Sequence, residues 1–238
     1  MGTELEWKYA VPAPALLDEI LAWEEVQSRM AEEPRRYHMQ SEYYDTPDRS
    51  LSRRRITLRR RLENETAVFC VKAPLRGAAD LRLRGEWETE AEDLAAALPR
   101  LAALGAPELL TEASLLHVLC HADFLRRALL LRFDDGSRAE LALDLGTLSG
   151  WTRSLPLCEM ELELKSGEPA AARAFAEALA ARFSLPPEPM SKFARASALA
   201  RMHNALCKNP EPRIGGRMLC APTTLNAESN RFFTQDGI

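Results

Sequence analysis

Apolar and charged positions alternate with period two over much of this chain. From Glu4 to Tyr9, the side chains of Leu5, Trp7 and Tyr9 oppose Glu4, Glu6 and Lys8. Residues 157–165 repeat the pattern, with Met160, Leu162 and Leu164 opposite Glu159, Glu161, Glu163 and Lys165. Successive strand side chains point to opposite faces, so both segments read as strands with one charged face. Further strands are predicted at 38–44, 55–62, 67–73, 81–90, 123–133 and 138–145. Thr46-Pro47-Asp48, Glu63-Asn64-Glu65 and Asp134-Asp135-Gly136 supply turns between them.

Helical spacing appears in four places. Leu16, Leu17, Ile20 and Leu21 begin a helix that runs to about Met30. Residues 91–120 read as helical with a break near Gly105-Ala106-Pro107, and Pro169 opens an Ala-rich helix to about Phe183. Ser191 is placed to cap a last helix ending near Leu206. Beyond Cys207, Pro210, Pro212, Gly215, Gly216 and Pro222 interrupt both periods, so residues 208–238 are expected to be an irregular, disordered tail on a domain of residues 1–207. Eight antiparallel strands with segregated helices define an α+β protein, and eight strands suffice to close a β-barrel with the helices packed outside.

Charge then changes the picture. Arg59 and Arg61 share a face, as do Arg82, Arg84, Glu86, Glu88 and Glu90 opposite Leu83 and Trp87. Alternation of this kind ordinarily marks a solvated outer face. Here, however, carboxylates gather on the first and last strands and arginines on the middle ones. The one-sided apolar helices also need a surface to cover. If they cover the outside of a closed sheet, the charged faces look into a polar tunnel.

The 238 residues, 46% hydrophobic and 28% charged, suit one globular domain with a real core. A net charge of −4 argues against nucleic acid or an anionic membrane as partner, so an anionic ligand would need a local basic cluster. Early Glu4 and Glu6 do not fit a secretion signal, and no apolar run is long enough to span a bilayer. Five widely spaced cysteines without a C-x-x-C pair suggest a reducing compartment, hence a cytoplasmic protein. His117 and His121, with Cys120 between them on a predicted helix, lack the further ligands of a zinc site and read as structural. There is no Gly-rich phosphate loop and no recognisable nucleophile context, so phosphate would have to be held by side chains.

Glu4-Leu5-Glu6-Trp7-Lys8 resembles the E-x-E-x-K signature of the CYTH superfamily, the triphosphate tunnel metalloenzymes. Tyr43-Tyr44-Asp45-Thr46-Pro47-Asp48, Leu58-Arg59-Arg60-Arg61, Lys72 and Arg84-x-Glu86-x-Glu88 are similar to its next motifs in order. Phe124 and Arg126, the stretch from Glu140 to Asp144, Glu159-x-Glu161 and Ser191-Lys192 complete the set, which covers about residues 4–203. Leu141-Ala142-Leu143-Asp144-x-Gly146 and the stretch from Glu159 to Gly167 are nearest to the bacterial inorganic triphosphatases. The family's usual glycine before L-R-x-R is replaced here by Arg53-Arg54-Arg55-Ile56-Thr57, so a different turn is expected.

The resemblance implies hydrolysis of inorganic triphosphate to pyrophosphate and phosphate. Lys8, Arg59, Arg61, Lys72, Arg84, Arg126 and Lys192 would bind the substrate, since arginine forks and lysine point charges suit phosphate oxygens. Glu4, Glu6, Asp144, Glu159 and Glu161 form an all-oxygen set suited to Mg²⁺ or Mn²⁺. Glu4, Glu6, Lys8, Glu161 and Glu163 would be the catalytic residues, with Glu161 or Glu163 as general base. A class IV adenylate cyclase and a thiamine triphosphatase remain alternatives on the same fold. So does a non-catalytic polyphosphate-binding module, against which the carboxylates argue. Oligomeric state is left open.

Overall fold

The computed structural model describes residues 5–74, 84–107 and 115–208, with backbone alone for Arg84 and residues 201–208. Its strands are β1 (Glu6–Ala10), β2 (Arg35–Asp45), β3 (Thr57–Glu63), β4 (Thr66–Pro74), β5 (Arg84–Glu90), β6 (His117–Arg132), β7 (Arg138–Gly150) and β8 (Arg153–Ser166). Its helices are α1 (Ala15–Ala22), α2 (Glu24–Gln27), α3 (Ser50–Arg53), α4 (Leu94–Ala103), α5 (Pro169–Arg182) and α6 (Lys192–Lys208). The strands form one antiparallel sheet in the order β1-β8-β7-β6-β2-β3-β4-β5. The expected tail lies, from residue 209 on, outside the described residues. Among the described residues, no helix is long and apolar enough to cross a membrane.

The apolar strand faces turn outward under helices. Leu129, Leu131, Leu141, Leu143, Met160 and Leu162 are buried against Leu17 and Ile20 of α1, Val26 of α2, and Phe175 and Leu179 of α5. At the other end, Leu58, Phe69, Val71 and Trp87 pack with Leu51 of α3 and Ala97 and Leu101 of α4. Each fully buried leucine or phenylalanine contributes about 1.5–3 kcal/mol, which fixes strand register and so forces the alternate, charged positions onto the inner face.

The sheet does not close into a barrel, contrary to the sequence expectation. No ladder joins β1 to β5 among the described residues. The outer edge of β1 is occupied instead by the chain leading into α6. Ala10 N–H donates to Pro186 O and Glu188 N–H to Lys8 O, both at 2.9 Å. These bonds take the Ala10 amide and the Lys8 carbonyl that β1 would otherwise offer to a neighbouring strand. The sheet is nevertheless strongly curled. β1 and β3 stand five strand spacings apart in sheet order, about 24 Å if flat, yet line a common cleft.

Nor do all helices lie outside. α6 plugs the inner face, where Ala196 and Ala200 are buried with Met39, Tyr43, Phe124, Leu148 and Leu157. Gly150 makes this possible: a Cβ there would come within 2.6 Å of Ala196 O. The predicted helix at 91–120 is also too long. His117, Cys120 and His121 belong to β6, because the run Leu115-Leu116-His117-Val118-Leu119-Cys120 has no period to separate strand from helix.

The turn into β3 is built by Asp45. Its carboxylate accepts the backbone N–H groups of Thr46 (2.8 Å), Leu51 (3.0 Å) and Ser52 (3.2 Å), and the Ser52 hydroxyl at 2.5 Å. Arg55, in the stretch where the resemblance predicts glycine, adopts a left-handed φ of 58°. The glycine-like conformation is kept without the glycine, at a cost of about 1–2 kcal/mol.

Candidate active site

Nine of the residues singled out in the sequence line one cleft on the curled inner face. Glu6 and Lys8 come from β1, Arg59 and Arg61 from β3, Lys72 from β4, Arg126 from β6, Glu161 and Glu163 from β8, and Lys192 from the first turn of α6. The cavity of about 160 Å³ has room for several waters or a small anion. Asp144 on β7 and Glu159 on β8 lie beneath it, both 0% exposed. Glu4 lies outside the described residues, and Arg84 opens β5 with only its backbone described.

Register explains the convergence. Lys8 pairs with Glu161 and Glu6 with Glu163 across β1 and β8, while Asp144 stands between Glu159 and Arg126 across β7. One carboxylate nest results. Asp144, Glu159 and Glu161 each offer an oxygen, all within 4.8 Å of one another. Arg126 donates Nε–H to Asp144 Oδ1 and Nη2–H to Oδ2, each at 2.8 Å, and reaches Glu161 Oε2 at 2.7 Å. Lys192 Nζ lies 2.8 Å from Asp144 Oδ2 and 3.0 Å from Glu161 Oε1, and contacts Glu159. Ser191 Oγ accepts Ala194 N–H at 3.1 Å, the expected cap that starts α6 and aims Lys192 inward.

The opposite wall is cationic. Arg59 and Arg61 approach Glu88 at 3.4 and 3.8 Å, and Lys72 approaches Glu86 at 3.1 Å. The Nε–H groups of Arg59 and Arg61 are buried without a hydrogen-bond acceptor. Buried donors are normally satisfied, so these are suited to oxygens of an anion in the cleft.

Burial alone would raise Glu161, but Lys192, Arg126 and Lys8 override it and hold its carboxyl well below the ordinary range. Burial raises Glu159, helped by the Glu161 charge and opposed by Lys192 and Arg195. Lys192 is pulled down by burial and pushed up further by Asp144, Glu161 and Glu159, so it stays an ammonium. Burial drives the Cys70 and Cys120 thiols up to about 12, which leaves them unreactive.

Several site residues escaped the sequence reading. Arg195 contacts Glu159 and lies 3.3 Å from Glu188, whose backbone holds the edge of β1. Its spacing of three from Lys192, one helical turn, was the available signal. Tyr43, quoted in a sequence motif but given no site role there, also lines the cleft; burial raises its phenol despite Arg59 and Lys192, keeping the hydroxyl a donor.

Fold and site together define an α+β protein whose single curled sheet gathers cations and carboxylates around an inner cleft. The chain belongs to the CYTH family, whose domain model matches residues 2–197. Among solved structures it is similar to HpAC1 from Hippeastrum, a protein with a dominant triphosphatase activity. The identity is 18%, the alignment covers 85% of this chain and 96% of that one, and the TM-score is 0.53. It is also similar to PH1819 from Pyrococcus horikoshii OT3, at 17% identity over 81% of this chain and 97% of that one, with a TM-score of 0.51. At such identities the likeness is one of fold.

Proposed function

We propose that this protein hydrolyses inorganic triphosphate to pyrophosphate and phosphate in the inner cleft, in dependence on Mg²⁺ or Mn²⁺. The observation that carries the reading is the cleft itself: Lys8, Arg59, Arg61, Lys72, Arg126 and Lys192 converge there from four strands and a helix. A chain of net charge −4 concentrates cations in this way where a polyanion is to be held.

Arg59, Arg61 and Lys72 bind phosphate oxygens from one wall and Lys8 from the other. Lining by β-strands fixes these groups before substrate arrives, so little reorganisation accompanies the reaction. The all-oxygen donor set of Glu6, Asp144, Glu159 and Glu161 fits a hard divalent cation. These carboxylates would hold such a cation, which would supply positive charge to offset that of the leaving pyrophosphate. Glu161, held ionised by three cations, is too weak a base to take a proton from water. Glu163, which lines the cleft outside that cluster of three cations, is assigned that role.

A second reading is favoured by one feature. Beside the charged cleft, and sharing Thr57, Ser191 and Phe193 with it, lies a largely apolar pocket lined by Ile56, Pro74, Met190 and Ala194. It would suit the organic end of a triphosphate ester such as thiamine triphosphate or ATP. Phosphate release from inorganic triphosphate, thiamine triphosphate and ATP, with Mg²⁺ or Mn²⁺ and against a chelator, tests both readings. Metal-dependent release strongest with inorganic triphosphate supports the first. Preference for an ester supports the second, and cyclic AMP would make the protein a cyclase. Binding without turnover would reduce it to a polyphosphate-binding module.

A further inference from the structure

The three-carboxylate nest is already filled by a cation belonging to the chain. Lys192 Nζ touches one oxygen from each of Asp144, Glu159 and Glu161, the same three residues whose oxygens cluster closely enough to share an ion. Arg126 occupies remaining oxygens of Asp144 and Glu161, and Arg195 the second oxygen of Glu159. Even with all three carboxylates ionised, Lys192, Arg126 and Arg195 balance them charge for charge, while Lys8, 4.0 Å from Glu161, is shared with Glu6 at 3.7 Å. A divalent cation added to this arrangement would leave a buried excess of two positive charges, which a low-dielectric site resists.

Only one of the three cations is free to leave. Arg126 is locked along the Nε–Nη2 edge of its guanidinium by Asp144 and Glu161, and Arg195 is tied to Glu188 in the strap along β1. Lys192 sits at the start of α6 on the wall of the cleft, between Ser191 and Phe193, with its ammonium 5.1 Å from the Phe124 ring centroid. It is a point charge on a flexible stem. The phosphate-binding arginines across the cleft would bring a polyanion within its reach.

We infer that Lys192 is a tethered counter-ion that keeps the nest closed to divalent metal until a polyphosphate in the cleft draws its ammonium away. This rests on the reading of the cleft as a triphosphate site. When Lys192 swings to a phosphate oxygen, the nest loses one positive charge while Arg126 and Arg195 preserve its shape. Metal and polyphosphate then bind with positive coupling, and the coupling is reciprocal.

The test is Mn²⁺ binding to the full chain, followed by the electron paramagnetic resonance signal of free Mn²⁺, without turnover. Lys192→Met is expected to bind Mn²⁺ about tenfold more tightly than wild type in the absence of any phosphate, a typical size for such coupling. Non-hydrolysable imidotriphosphate, corrected for its own Mn²⁺ complex, is expected to tighten Mn²⁺ binding in wild type and to add nothing in the variant. Equal Mn²⁺ affinity of wild type and Lys192→Met would overturn the inference. Should the variant fail to fold, by its melting curve, wild type decides alone. Mn²⁺ binding indifferent to imidotriphosphate overturns the inference; binding tightened by it supports the inference. A protein that couples the two ligands but releases no phosphate would sink the proposed hydrolysis and leave the role of Lys192 standing.

Discussion

Arg126 grips Asp144 side-on, with Nε–H and Nη2–H donating to the two carboxylate oxygens at 2.8 Å each. Asp144 is fully buried, so without Arg126 its charge rests on Lys192 alone, away from water. Arg126→Met or Asp144→Asn is expected to destabilise the fold by about 3–5 kcal/mol. The double substitution should cost less than the sum of the two, because the groups act as one unit. Urea unfolding of the three variants measures this; strict additivity would contradict the coupling.

Glu6 makes the opposite case. Its side chain is 40% exposed and 3.7 Å from Lys8, a pair that contributes little to stability. Glu6→Gln is expected to leave the melting temperature within a degree or two of wild type. Metal-dependent phosphate release should fall by about a hundredfold or more, the scale of losses at metal sites. An unchanged rate would remove Glu6 from the metal set.

Stability should fall in acid through Glu161. Its carboxyl is held below the ordinary value of 4.5, so the folded protein gives up this proton more readily than the unfolded chain. The stabilisation is complete above about pH 4.5 and is lost as pH falls toward the folded-state value. Glu161→Gln should lower stability at neutral pH but flatten the decline between about pH 5 and pH 3. Urea midpoints across that range with the same slope in both proteins would show that other carboxylates carry the effect.

Gly150 controls the seat of α6. A methyl group there would press within 2.6 Å of Ala196 O and 2.8 Å of Ala200 N, both backbone atoms that cannot turn aside. Gly150→Ala is expected to cost roughly 1–3 kcal/mol by overpacking. It should also weaken triphosphate binding, since Lys192 begins the displaced helix. Calorimetric titration with imidotriphosphate reads the second effect; unchanged affinity would mean that α6 can shift without moving Lys192.

Much of the site could be read from strand alternation. Glu6, Lys8, Glu161 and Glu163 reach the same cleft because each occupies the charged phase of a strand whose other phase carries Trp7, Met160 or Leu162. Period two fixes the face but not what the face looks at. The sequence therefore left closure open to error, since Pro186 to Glu188 has no strand pattern and takes the edge of β1 through backbone atoms alone. The same limit hid the place of α6 on the inner face, although the helix itself was legible from its Ser191 cap. Its alanines pack on Phe124 and Leu148 as small residues do where a helix enters a narrow space, whereas the outer helices follow the familiar one-sided pattern. Arg195 and Glu188 were missed because their importance lies in three-dimensional neighbours on β1 and β8.

The strap along β1 gives the cleft a seam. A closed barrel widens only by breaking a whole ladder, but here the boundary beside β1 is sewn by two backbone hydrogen bonds, with the Arg195–Glu188 pair tying the strap to α6. Unpicking those few stitches would let β1 and α6 part while the meander of β6, β7 and β8 stays intact. Entry and exit of a bulky polyanion can then be a local event, on the scale of a loop opening rather than of unfolding.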